Sequence, residues 1–288
     1  MRDSFRLIAA ASAAALVLTV AGCGSSDSAS SPDAAADTTA AVDTTASESS
    51  AEGNLAGFMK DVGAELNDFW AANWGDGWKT AVVKVPEDGA QTACGTIDAA
   101  NSGPAYCGDD NTMVLPVAFF RDKLVSADDN LSNDAAVAAV IGHEFGHHLQ
   151  TLGGLGEAVS AAQADNPEAA NLLSVANELH ADCLMGLWMS SVDDQKRLEP
   201  GDLDEVLTTL EKIGDDKLSA DAGVEADAST FDHGTAEQRQ TWFGVGFDTK
   251  DPEACSKVFD DMNDGTLEQE LQAGADSANG GAATDTTG

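Results

Sequence analysis

The sequence predicts an α+β, mainly α-helical fold, and three observations lead there. Apolar residues recur at helical spacing in most of the long segments, each opened by a capping residue or closed by glycine. Only two short runs, Thr80–Val85 and Asn111–Leu115, read as strands. Between two low-complexity ends, residues 54–262 leave about 210 residues, which suits one domain with a sizeable core.

Residues 1–22 read as an export signal, with Arg2 and Arg6 ahead of an apolar stretch, Leu7 to Val20, that is short for a membrane span. Val20-Ala21-Gly22-Cys23 has the form of a bacterial lipobox, so Cys23 is the expected lipidation site. Residues 23–53 are almost wholly Ser, Ala, Thr, Asp and Gly, and cannot bury enough apolar surface to offset ordering entropy. They read as a tether. Residues 263–288 grade into similar composition and are expected to be a mostly disordered acidic tail.

Within the domain, Asn54 is placed to cap a helix whose inner stripe is Leu55, Phe58, Met59, Val62, Leu66, Phe69 and Trp70. Trp70, Trp74 and Trp78 read as packing residues at its end. The stretch Cys94 to Cys107 is a glycine-containing excursion, and Val117 to Leu124 a short turn or helix. Asp134 opens a helix carrying Val137, Val140, Ile141, Phe145 and Leu149, which Gly153-Gly154 stops. A further helix is expected over Leu155 to Ala164. Asn166-Pro167-Glu168 is a strong helix start for a segment running to about Ser190. Asp202 to Ile213 and Ala236 to Val245 complete the set, the latter behind a Thr235/Gln238 capping box. The Asn111–Leu115 strand, just upstream of the helix that Asp134 opens, is expected to edge the cleft and pair with a peptide backbone.

Fourteen Lys and Arg against fifty Asp and Glu give a formal net charge of −36. A phosphate backbone or an anionic lipid surface would be repelled, which argues against nucleic acid as a partner.

The chemistry is concentrated in His143-Glu144-Phe145-Gly146-His147. Residues four apart on a helix lie about 6 Å apart along the axis and about 40° apart around it, so both imidazoles leave one face and can grip one metal ion. Glu144 sits one residue round, placed to take a proton from a metal-activated water. A hydrolytic zinc site needs a third protein ligand. The positions where a metzincin would have a glycine and then a third histidine hold Gln150 and Gly153. The ligand is therefore expected from a second helix, at Asn177-Glu178-Leu179-His180-Ala181-Asp182. There Glu178 is the expected ligand, and Asp182, one turn on, the acceptor that fixes an imidazole tautomer. His180 and Cys183 lie about 200° and 140° round from Glu178, off its face. His148 is expected to be a packed histidine. His233, in Asp232-His233-Gly234-Thr235 before a helix start, is the leading candidate to donate to a developing oxyanion, with Tyr106 and Arg239 as weaker claimants.

Several of these motifs, in this order, resemble the bacterial family of putative neutral zinc metallopeptidases: Cys94-Gly95, Gly103-Pro104-Ala105-Tyr106-Cys107, the 143–150 helix, Glu178 to Cys183, His233-Gly234-Thr235 with Gln238-Arg239, Trp242-Phe243 and Cys255. The resemblance implies a zincin-like peptidase with one zinc ion on His143, His147 and Glu178, and Glu144 as base. Members of that family are commonly held to a membrane by an N-terminal helix. Here a lipobox and linker stand in that place, so anchoring by lipid to the outer face of the cell membrane is expected. Four cysteines remain after Cys23 and an exported chain can oxidise them. Of the three pairings, Cys94–Cys107 and Cys183–Cys255 are favoured. The expected function is hydrolysis of peptide or protein substrates; the alternative is a non-catalytic, zinc-dependent binding or scaffolding lipoprotein.

Overall fold

The computed structural model describes residues 55–125 and 133–282. The expected signal segment 1–22, Cys23, the linker 23–53 and the Asn54 cap lie outside them.

Helix α1 (Leu55–Trp74) turns Met59, Val62, Leu66 and Trp70 into the core, the inner stripe of its apolar pattern. The chain then builds two small sheets from β1 (Val82–Lys84), β2 (Gly89–Thr92), β3 (Gly95–Asp98), β4 (Ala105–Cys107) and β5 (Thr112–Val114). β2 and β3 form a hairpin; the other sheet has the order β1-β5-β4, with β5 parallel to β1 and antiparallel to β4. Both expected strands are present in shortened form. The stretch Cys94 to Cys107, expected to be an irregular excursion, contributes β3 and β4.

The role expected of the Asn111–Leu115 strand is overturned. β5 is central, all three of its residues are buried, and neighbours occupy both its edges. No free backbone row is left to pair with a substrate. Asn111, in the left-handed region at φ 52°, turns the chain back between β4 and β5, so the strand nearer the cleft is β4, whose Ala105 and Tyr106 line it.

The helical layer follows: α2 (Val117–Lys123), α3 (Asp134–Leu152), α4 (Leu155–Asp165), α5 (Ala170–Asp194), α6 (Asp202–Lys212), α7 (Asp215–Ala222), α8 (Ala236–Thr249), α9 (Pro252–Cys255), α10 (Lys257–Asp264) and α11 (Thr266–Ala282). Gly154, at φ 76°, separates α3 from α4 as its position predicts. Pro167 opens α5 through one 3-10 turn, Pro167–Ala169. The Thr235/Gln238 capping box at the start of α8 is formed in both directions.

α5 is the centre of the packing, buried on nearly every side from Leu173 to Val192. It lies closest to α8, where a Cβ added at Gly186 would meet the Phe243 carbonyl and one at Gly246 the Cys183 carbonyl. Only glycine allows two helices to touch backbone to backbone.

The expected disordered tail also differs. α11 buries Leu267, Leu271 and Ala275, its Gly274 lies against the Thr235 side chain, and Gln238 Nε2 donates to the Leu267 carbonyl at 3.3 Å. Residues four apart form one stripe, and small residues between them let the helix approach α7 closely. Alanine and glycine that read as low complexity are here contact residues, so the folded domain runs past 262 to at least 282.

Both favoured cysteine pairs are bonded: Cys94–Cys107 joins the β2–β3 turn to β4, and Cys183–Cys255 ties α5 to α9. The second closes a separation of 72 residues, for which the chain-entropy account gives about 4 kcal/mol. Replacing Cys183 and Cys255 together by Ala is expected to lower unfolding stability by about that amount. Mass spectrometry of non-reduced peptides is expected to link the same two pairs; free thiols in protein isolated without reductant would contradict the pairing.

Candidate metal centre

Two helices meet at Gly146. A Cβ there would lie 2.8 Å from Ala181 Cα and 3.0 Å from its carbonyl oxygen, so the absence of a side chain lets α3 and α5 close together at this level. That approach brings ligand groups from the two helices to one point. His143 Nε2 stands 3.0 Å from Glu178 Oε2, His147 Nε2 3.3 Å from Glu178 Oε1, and the two Nε2 atoms 3.1 Å from each other.

The other nitrogen of each ring is engaged. His143 Nδ1 lies 2.7 Å from Asp182 Oδ1, and His147 Nδ1 2.9 Å from Gln150 Oε1. Both partners accept, so each Nδ1 carries a proton and a neutral ring directs its Nε2 lone pair at the common point. Two lone pairs and a carboxylate converging within 3.3 Å repel one another unless a cation lies among them. A tetrahedral zinc ion with bonds of about 2.0–2.1 Å sets its ligand atoms about 3.3 Å apart, so the donor set fits that ion in number, type and spacing.

Without a metal, the set holds protons. Burial presses the His143 pKa down, but Asp182 and Glu178 outweigh it and raise it to about 10. Burial would lift the Glu178 carboxyl, yet His147 and His143 hold it well below its ordinary value. A cation entering the site must displace those protons. Asp182, wholly buried, stays below the ordinary carboxylate range because Arg239 and His143 offset its desolvation. Arg239 reaches it from α8 with a fork, Nε to Oδ2 at 2.8 Å and Nη2 to Oδ1 at 3.0 Å.

The centre opens on a cleft of about 990 Å³, lined also by Glu144, His233, Tyr106 and Phe119. Glu144 is 7% exposed, and its burial pushes the carboxyl pKa up against the pull of His147 and His143. His233 stands on the loop before α8. Asp215 Oδ2 holds that loop by accepting backbone N–H bonds from Asp232, His233 and Gly234 at 3.0, 2.8 and 2.9 Å. The His233 ring is raised to about 9 by its hydrogen bond to Asp215, against burial and with help from Glu178 and Asp232; its Nδ1 is 2.6 Å from Asp232 Oδ1. The neighbouring carboxylates favour the charged form of this ring, which lines the cleft.

The remaining candidates fall elsewhere. His148 Nε2 donates to the Lys79 carbonyl at 2.7 Å, and Tyr106 donates its hydroxyl to His148 Nδ1 at 2.9 Å, so His148 is a packed histidine. Arg239 spends its fork on Asp182 rather than on the cleft. His180 is not one of the converging donors; it contacts Gln150 and Phe259, and burial lowers it to about 4. Among the described residues, Asp215–Asp232–His233 and Asp134–Asp202–Glu205 also group three potential ligands, but neither supplies two imidazoles.

The sequence profile described as "putative neutral zinc metallopeptidase" matches residues 9–258. The chain belongs to this family. It is 35% identical over 217 residues to the uncharacterized protein YpfJ of Escherichia coli (strain K12), covering 73% of this chain and 74% of that one. The uncharacterized proteins Mb2605 of Mycobacterium bovis and Rv2575 of Mycobacterium tuberculosis are 35% identical over 175 residues, 57% of this chain and 57% of each of theirs. No solved structure matches the chain.

Two parts of the site escape a reading by residue type alone. Gln150 follows His147 by three residues, a spacing that puts both on one side of the helix, but a glutamine there has no meaning until the facing helix is known. Asp215 lies in α7, a helix the sequence pattern does not announce, and nothing short of the fold connects it to His233.

Proposed function

We propose that the chain is a zinc-dependent peptidase, and that one observation carries this reading: a carboxyl group, Glu144, and an imidazole held beside Asp215 and Asp232, His233, share the cleft onto which a three-donor site opens. A structural zinc site takes a fourth protein ligand and closes, whereas a catalytic one keeps a position for water. His143, His147 and Glu178 would hold the ion. Zinc, when bound, supplies Lewis acidity, acidifying a water and polarising a carbonyl oxygen. Glu144 accepts the proton of the attacking water and delivers it to the leaving amine, a task for which a carboxyl of raised pKa is suited. His233, kept protonated by Asp215 and Asp232, donates toward the oxygen on which negative charge develops. Asp182, forked by Arg239, keeps the His143 proton on Nδ1 and so its Nε2 free for metal.

Substrate access from outside the cell goes with this reading. The basic and apolar opening of the chain and the lipobox at Cys23 support tethering through a lipid, with the polar linker as spacer. Among the described residues no helix is long and apolar enough to cross a membrane.

The test is digestion of an unbiased peptide library by zinc-replete protein. Internal or terminal cleavage is expected, lost on chelation and restored by added zinc. A library left intact by protein carrying one zinc per chain would overturn the reading and favour the scaffolding alternative.

A further inference from the structure

We infer that Gln150 is a positioning residue of the metal centre, one that sets the tautomer of His147 and ties that ring to the backbone beside Glu178. The inference rests on the zinc reading above but makes a separate claim. The Gln150 side chain, 3% exposed, makes three polar contacts. Its Nε2 lies 2.6 Å from the Asn177 carbonyl oxygen and 3.2 Å from His180 Nδ1, and its Oε1 lies 2.9 Å from His147 Nδ1.

The direction of each bond follows from the first. A main-chain carbonyl only accepts, so the amide must turn its NH2 toward Asn177. Its oxygen is then the atom facing His147, and since that oxygen only accepts, His147 Nδ1 must carry the ring proton. In a neutral ring the lone pair falls on Nε2, the atom that stands 3.1 Å from His143 Nε2 and 3.3 Å from Glu178 Oε1. A flipped amide would set oxygen against oxygen at Asn177, and would make His147 Nδ1 an acceptor with the ring proton on Nε2, among the converging donors. The second amide hydrogen goes to His180 Nδ1, which accepts it as a neutral ring. Asn177 immediately precedes Glu178 on α5. The same amide therefore links the second ligand, on α3, to the main chain at the third, and aligns the two helices at the point where their ligands converge.

The two ligating rings are thus held differently, His143 by a buried carboxylate and His147 by a neutral amide. The difference fits the charge already present. Glu144, Glu178 and Asp182 are all carboxyl groups at this centre, and a fourth in place of Gln150 would face the Asn177 carbonyl oxygen at 2.6 Å. Gln150→Glu is consequently expected to be as damaging as loss of the polar group.

The experiment compares the parent with Gln150→Met, similar in size but without hydrogen bonds, and with Gln150→Asn, whose amide is one methylene short of spanning both partners. Zinc affinity is read by competition with a chromophoric chelator, and the ring protons of 15N-histidine-labelled, zinc-loaded protein by NMR. In the parent, His147 Nδ1 is expected to show a slowly exchanging proton. Both variants are expected to lose that slow exchange while the His143 Nδ1 proton stays protected, and to bind zinc 10- to 100-fold more weakly. Affinity within twofold of the parent in a folded variant, or a parent His147 unprotonated at Nδ1, would overturn the inference. The second measurement needs no variant, so it decides the matter even if both fail to fold. A parent that binds no zinc would instead overturn the peptidase reading, which keeps the two failures apart.

Discussion

Glu144→Gln is expected to fold, to hold zinc at the parent's stoichiometry and to lose at least ~100-fold in peptide cleavage, the lower scale for a lost general base. The expectation follows from where the side chain sits. Glu144 lines the cleft on α3 between His143 and His147 in sequence but is not one of the three converging donors. Glutamine preserves its size and its capacity for hydrogen bonds and removes only its ability to take a proton. Zinc content by mass spectrometry and turnover of a cleaved library peptide are the two measurements. A scaffolding protein would show no zinc-dependent cleavage in either form and a metal-dependent stability in both. Cleavage that survived both Glu144→Gln and chelation would count against the proposed chemistry and against scaffolding alike.

The second large effect separates Glu178 from Asp182, which the sequence places on one face of one helix. Glu178→Ala removes a donor and is expected to nearly abolish zinc retention. Asp182→Ala removes the acceptor behind His143 and is expected to weaken retention 10- to 100-fold, about 1.4–2.8 kcal/mol. The fold adds a second axis on which they differ. Asp182 is the partner of Arg239, whose side chain is 4% exposed, so Asp182→Ala strands a buried guanidinium. Breaking such a pair costs about 3–5 kcal/mol of stability. Glu178→Ala, in contrast, removes one of three converging donors and leaves the buried Asp182–Arg239 pair intact. The ordering is therefore expected to reverse between the two assays: Glu178→Ala the worse for zinc, Asp182→Ala the worse for thermal unfolding. Equal zinc loss, or greater loss in Asp182→Ala, would reject the assignment of Glu178 as the ligand.

What the chain determined by itself was the local part of this molecule. Helical spacing of apolar residues, Gly153-Gly154, Pro167 and the Thr235/Gln238 box are signals within a few residues of one another, and each marks an element boundary at or near the observed place. His143 and His147 on one face, and Glu178 and Asp182 on another, follow from helix geometry alone. Tertiary structure decided what depends on distant neighbours. β5 became a central strand because β1 and β4, neither adjacent to the other in sequence, flank it, and hydrogen-bonding edges are not written in a strand's own residues. The tail became α11 because α7 and the Thr235/Gln238 start of α8 lie against it; composition counts apolar residues but not the face that receives them. The convergence of two faces into one site required Gly146 against Ala181, Arg239 behind Asp182 and Asp215 beneath His233. Those contacts span from 18 to 57 residues of chain, and only packing, by bringing low-dielectric surfaces together, makes their charges and lone pairs act on one another.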